Sequence, residues 1–208
     1  MNHAIAPIAQ AIASVHPLLK ATHYVLDLET LGKTPSAAIA AIGCVRIENG
    51  VIGTAFYRRV NVDSAIAWGG ETDASTIDFW LQQSEEARAE IHDPHNRLAI
   101  NSALIELAEF IDRPAAIHGE QYVWGNGATF DNVIISTAFK RSHIERPWPY
   151  WNDRDLRTLI DLYPEAKAST AFVGTKHHAL DDAMHEARIL CAALALHTSV
   201  HATARGTP

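Results

Sequence analysis

The chain has 208 residues, 48% of them hydrophobic and 20% charged, which is enough for one well-buried core and is the ordinary composition of a folded domain. No apolar run reaches the length of a membrane span, and the two cysteines, Cys44 and Cys191, sit in apolar patterns as small core residues, which fits a reducing cytoplasm. A formal charge of −7 argues against a protein that coats long nucleic acid through clustered lysine and arginine, but not against one that grips only a chain end.

Residues 1–22 are rich in alanine and isoleucine, with no lysine or arginine before the apolar part. That pattern predicts a short amphipathic helix or an arm rather than a secretory leader. Strands are expected over residues 23–29, 38–47 and 51–60, the last two flanking Glu48-Asn49-Gly50. Asn-Gly between β-rich runs signals a hairpin, so the chain opens as an antiparallel meander. Ser75 is placed to cap a helix over residues 76–83, and Ser84 a second over 85–91. Apolar residues recur at helical spacing over residues 98–111. A short strand over residues 122–125 is broken by Gly125-Asn126-Gly127. Helices follow over residues 129–141, 154–162 and 179–197, with the aromatic connection Pro147-Trp148-Pro149-Tyr150-Trp151 after the first. Residues 198–208 read as a frayed tail. The pattern is α/β: one domain over residues 23–197, a mixed sheet covered by helices on both faces, with ligands expected near strand ends.

Three stretches carry chemistry. In YVLDLETLG, residues 24–32, Asp27 and Glu29 stand two apart in an apolar strand and so share one face. Two buried carboxylates repel unless a cation pair or metal ions neutralise them, and their oxygen atoms suit a hard divalent ion such as Mg²⁺ or Mn²⁺. The same spacing on a solvated strand would be only a surface ion pair. In VWGNGATFDNVII, residues 123–135, Asp131 follows the glycine turn at a helix start, where a carboxylate also serves the helix dipole. In KHHALDDAMHEA, residues 176–187, His177 and His178 precede a helix whose first turn holds Asp181 and Asp182. No cysteine lies close by to complete a zinc site.

Taken in order, DLET, NGATFD and HHALDDA resemble the three exonuclease motifs of the DnaQ-like (DEDDh) superfamily, over residues 23 to about 195. LETLGKTPSAAIAAIG, TIDFWLQQSEEAR, VWGNGATFDNVII and PWPYWNDRDLRTL further resemble a bacterial and phage branch. That branch includes exodeoxyribonuclease VIII-like proteins and mycobacterial-type 3′→5′ exoribonucleases. The resemblance implies a ribonuclease H-like fold, with a mixed five-stranded sheet made of a three-strand antiparallel meander and two parallel strands. It implies removal of nucleoside 5′-monophosphates from the 3′ end of single-stranded DNA or RNA, with two divalent ions, Mg²⁺ or Mn²⁺. Carried over by position, Asp27, Glu29, Asp131 and Asp182 would hold the ions, and His177 would take a proton from the attacking water. His177 rather than His178 keeps the phase of the third motif, and Asp181 falls at a variable position. Glu29 and the backbone at Thr30 and Leu31 would face the terminal 3′-hydroxyl, with the Leu31 side chain against the terminal base.

Phe79 and Trp80 are candidates to stack on a base, or else to pack the core. Asn126 is a candidate to orient the second motif at the substrate, and Arg154 and Arg157 to reach phosphates. Trp124 and Trp148 are expected in the core, although Trp148 with Trp151 could instead form the face of a homodimer. The alternative to an enzyme is a catalytically silent nucleic-acid-binding module of the same fold, which would usually have lost one of the five motif residues.

Overall fold

The computed structural model of the chain describes residue 18, residues 21–112 and residues 120–204. Apart from residues 18, 21 and 22, the expected N-terminal arm lies outside the described residues, as do the last four residues of the expected tail.

Strands β1 (Thr22–Thr30), β2 (Ile39–Glu48) and β3 (Val51–Val60) form the expected meander. Asn49 and Gly50 both have positive φ, 53° and 74°. They make the two-residue hairpin whose twist matches that of the strands. Helices α1 (Val62–Ala67), α2 (Ala74–Leu81) and α3 (Glu85–His92) lead to a short β4 (Arg97–Leu98) and to α4 (Ile100–Asp112). Then come β5 (Gln121–Gly125), α5 (Asp131–Arg141), a single 3₁₀ turn at Tyr150–Asn152, and β6 (Asp153–Asp155). Helices α6 (Leu156–Leu162), α7 (Pro164–Ala168) and α8 (Ala179–Ala204) complete the described chain.

The sheet has six strands in the order β4-β3-β2-β1-β5-β6. The expectation of five is corrected by β4, whose two residues are too few to carry a periodic signal. Strands β1 to β3 pair antiparallel, while β5 pairs parallel with both β1 and β6. Three further expectations shift. Asp73, not Ser75, caps α2, because its carboxylate reaches the Thr76 N–H at 3.0 Å and Ser75 donates to that same carboxylate. Helix α4 starts at Ile100, since Arg97 and Leu98 belong to the sheet. Helix α8 continues to Ala204, so residues 198–204 are helix rather than tail.

Alternation along β1 divides the core. Tyr24, Leu26 and Leu28 face α4 and α5, with Leu104, Leu107, Ile135 and Phe139. Val25 faces α8, with Ala183, Ala187 and Leu190. By the same alternation Asp27 and Glu29 also lie on the α8 side. Gly43 pairs across from Asp27, and Ala41 across from Glu29. The start of α8 rests directly on this trough: a Cβ at Gly43 would stand 2.1 Å from the Ala179 carbonyl oxygen. Only glycine lets the helix descend so close to Asp27.

Candidate active site

Strand β1 outlasts its parallel neighbour. Pairing with β5 ends at Val25 and Trp124, while β1 continues to Thr30. A register shift between Glu29 and Thr30 marks a bulge against β2 where the strand leaves the sheet. The crevice so formed lies at the carboxyl ends of β1 and β5.

Asp131, the first residue of α5, closes it. Its Oδ1 accepts the Leu28 N–H at 3.2 Å, beyond the last β1–β5 pair. Gly125 makes this approach possible, because a Cβ there would meet the Asn132 amide oxygen at 2.3 Å and the Asp131 Cβ at 3.0 Å. Asp155 ties the turn below, accepting the Ala128 N–H at 2.7 Å. Asp153 binds Asn132 and Trp148 at 3.0 and 2.7 Å, so this second acidic pair serves the scaffold.

The third motif enters from α8. His177 has a left-handed backbone, φ 62°, and its N–H donates to Asp182 at 2.7 Å. His178 caps the helix: its carbonyl takes the Asp182 N–H at 3.0 Å and its ring lies against Tyr57, 4.7 Å between centroids. The two adjacent histidines therefore point to different places. Ligand atoms of Glu29, His177 and Asp182 lie within 4.8 Å of one another. His178 is outside that group, and Asp181 is occupied by the Thr175 N–H at 2.8 Å.

Electrostatics bind the carboxylates into one set. Burial pushes Glu29 up to about 8, with Asp182, Glu90 and Asp131 adding repulsion. Burial also raises Asp131 to about 7, against the Leu28 hydrogen bond that favours its charge. Asp27 is pushed well above the usual carboxylate range by burial, then by Glu186, Glu29, Asp131 and Asp182. Asp182 is raised by burial, although the His177 N–H opposes the shift. Among the described residues no lysine or arginine forms an ion pair with any of these groups.

Two members of this surrounding were not anticipated. Glu186, one helical turn after Asp182, is buried and faces Asp27 and Asp131. Its i, i+4 spacing from Asp182 was a readable signal. Glu90, fully buried on α3, accepts from Tyr57 at 2.6 Å and pairs with Arg59 at 3.0 Å. Its partners come from β3, so no local pattern announces it.

The expected substrate contacts separate. Trp80 is 2% exposed and its indole N–H donates to the Thr30 carbonyl at 2.9 Å, so it packs the end of β1 and presents no free face to a base. Phe79 is 41% exposed with its ring 5.1 Å from that of His177, at the mouth of the site. The Leu31 N–H and carbonyl are already taken, by Ala38 and Asp73, and Thr30 is buried. The donor expected there for the 3′-hydroxyl is thus engaged, leaving the Glu29 carboxylate and the half-buried Leu31 side chain. The Asn126 side chain stands near Glu186 and favours its charged form, inside the site. The Arg154 guanidinium sits 4.0 Å over the Tyr122 ring, whereas that of Arg157 packs at Gly127 and acts on Asp131 and Glu186. Trp124 and Trp148 are core residues; of the pair expected at a dimer face only Trp151 is exposed.

The donor set fits hard divalent cations. Glu29, Asp131 and Glu186 are buried and Asp27 and Asp182 half-buried, among the described residues none of them is in an ion pair with lysine or arginine, and one oxygen, Glu186 Oε2, has no hydrogen-bond partner.

Comparison with known proteins follows the same outline. The family model described as the 3′-5′ exoribonuclease Rv2179c-like domain matches residues 22–194. An exodeoxyribonuclease of Enterobacteria phage T4 is 22% identical over 161 residues, 66% of this chain and 70% of the relative. Among solved structures, the nuclease domain of 3′hExo, a DEDDh family member bound to rAMP, is similar with a TM-score of 0.57. It is 13% identical, over 84% of this chain and 92% of that one. Exonuclease I without ligand gives a TM-score of 0.55 at 16% identity, and the zinc-bound form of the E. coli exonuclease I–ssDNA complex 0.54 at 16%. The matches cover 84% and 86% of this chain, which spans only 41% and 40% of those longer chains. At these identities the structures establish the shared fold.

Proposed function

The chain belongs to the 3′-5′ exoribonuclease Rv2179c-like domain family, a family of 3′–5′ exonucleases, and from that premise we propose that it removes nucleoside 5′-monophosphates one at a time from the 3′ ends of single-stranded RNA or DNA. One observation carries the reading: ligand atoms of Glu29, His177 and Asp182 converge within 4.8 Å beside half-buried Asp27 and buried Asp131, and among the described residues no lysine or arginine forms an ion pair with them. A silent binding module has no use for so strained a group.

Asp27, Glu29, Asp131 and Asp182 hold divalent cations, Mg²⁺ or Mn²⁺. These supply charge neutralisation and polarisation of the scissile phosphodiester when bound. His177 accepts a proton from the attacking water, its ring held by the edges of Phe79 and Trp80 and its backbone by Asp182. Phe79 stacks on the terminal base and Leu31 bounds it on the other side. Glu29 faces the terminal 3′-hydroxyl. Arg157, at the lip, meets a phosphate. The acidic chain, with 24 acidic against 17 basic side chains, suits short grip on an end better than long duplex.

The test is the end itself. A linear single-stranded oligonucleotide with a free 3′-hydroxyl should yield nucleoside 5′-monophosphates. A circular strand of the same sequence should survive. Cleavage of the circle, or products carrying 3′-phosphates, would replace this reading with an endonuclease or a different chemistry.

A further inference from the structure

Glu186 is 5% exposed, and its Oε2 is buried without a hydrogen-bond partner. It stands one turn beyond Asp182 on the face of α8 that rests over β1. The stronger charges acting on it are acidic, Asp131 and Asp182, with Arg157 the weaker opposing one, and among the charges acting on Asp27 it comes first. The Asn126 side chain stands near this carboxylate and favours its charged form. A glutamate kept only for shape would be better replaced by glutamine, whose amide can donate to a neighbouring carboxylate. A buried oxygen beside other carboxylates, with no donor of its own, needs a cation.

We propose that Glu186 is a further cation-binding carboxylate, acting beside Asp131 and Asp27, and that it lets the site hold a second divalent ion before any nucleic acid arrives. This rests on the cation-dependent reading above. Affinity of an oxygen site rises with the number of charged ligands it offers. Glu29 and Asp182, with His177, form one group. Asp27, Asp131 and Glu186 supply three carboxylates to the other side, so that side has no need of a substrate phosphate to complete its charge.

Mn²⁺ is titrated into the nucleic-acid-free protein, and binding is followed by loss of the free-ion electron paramagnetic resonance signal. The wild type should bind two ions. Glu186→Gln should retain one and bind the second at least about 10-fold more weakly, while Glu109→Gln, at an exposed carboxylate on α4, should match the wild type. Without metal, Glu186→Gln should melt higher than the wild type because repulsion is relieved, which also shows that it folds. Should the amide variant misfold, Glu186→Met offers the same length without charge. Equal binding of two ions by wild type and variant would overturn this inference alone and leave Glu186 a neutral filler. No binding by the wild type would instead overturn the cation-dependent reading, and this one with it.

Discussion

Removing metal should make the protein less stable as pH rises, which reverses the behaviour of an ordinary ion-paired carboxylate. Glu29 has its pKa raised from 4.5 to about 8 by burial and by Asp182, Glu90 and Asp131. Between those values the folded state binds more protons than the unfolded chain, so its stability falls with rising pH. His23 opposes this at lower pH. Burial between the Leu18 carbonyl and Trp124 lowers it from 6.5 to about 4, so its contribution grows with pH up to 6.5 and is then complete. Above pH 6.5 the carboxylate effect stands clear of His23. From there to about pH 8, Glu29 accounts for roughly 2 kcal/mol at about 1.4 kcal/mol per unit. Asp131, raised to about 7, adds less than about 1 kcal/mol in that window. Together these correspond to a fall in Tm of about 4–12 °C for a chain of this size. Thermal melts in EDTA across the window measure it, and Mn²⁺ added at the upper pH should recover the loss by mass action. Glu29→Gln should flatten most of the slope. A Tm in EDTA that is level or rises from pH 6.5 to 8 would refute the electrostatic account of the site.

Gly43→Ala should destabilise the fold by about 3 kcal/mol, because the new methyl meets the backbone of α8 rather than a movable side chain; urea unfolding reads it. His177→Asn, which keeps a side chain tolerant of the left-handed backbone, should lower kcat by about 10²–10⁴ while leaving Tm nearly unchanged; His178→Asn should spare kcat far more. Phe79→Ala should raise KM for a single-stranded end, since stacking contributes about 1–3 kcal/mol, with little change in melting. Trp80→Ala should instead cost about 3–5 kcal/mol of stability, as expected for a buried ring that also holds the Thr30 carbonyl.

Legibility in the sequence followed the range of the forces involved. The meander was readable because alternation and Asn49-Gly50 are local, and β3 has the expected bounds of residues 51–60. Asp27, Glu29, Asp131, His177 and Asp182 were nameable from three ordered motifs, and the fold brings them to one crevice. What brings them there was not local. Gly43 matters only because β2 pairs it with Asp27 and α8 lands on it. Glu90 is buried by partners on β3, far along the chain. Trp80 and Phe79 are neighbours with equal claims in sequence, yet one faces the core and the other solvent. Strand β4 and helices α1 and α7 are too short to carry a period. Glu186 lies one turn past Asp182, beyond the end of the third motif, and only its i, i+4 spacing marks it in the sequence.

The most direct measurement follows 5′-labelled single-stranded RNA and DNA of one sequence, incubated with Mg²⁺, Mn²⁺ or EDTA, for wild type and Asp27→Asn. The account predicts a ladder that shortens from the 3′ end with either ion, is absent in EDTA, and is absent in the folded variant. A ladder that persists in EDTA or in Asp27→Asn, or intact substrate with the folded wild type and metal, would contradict it.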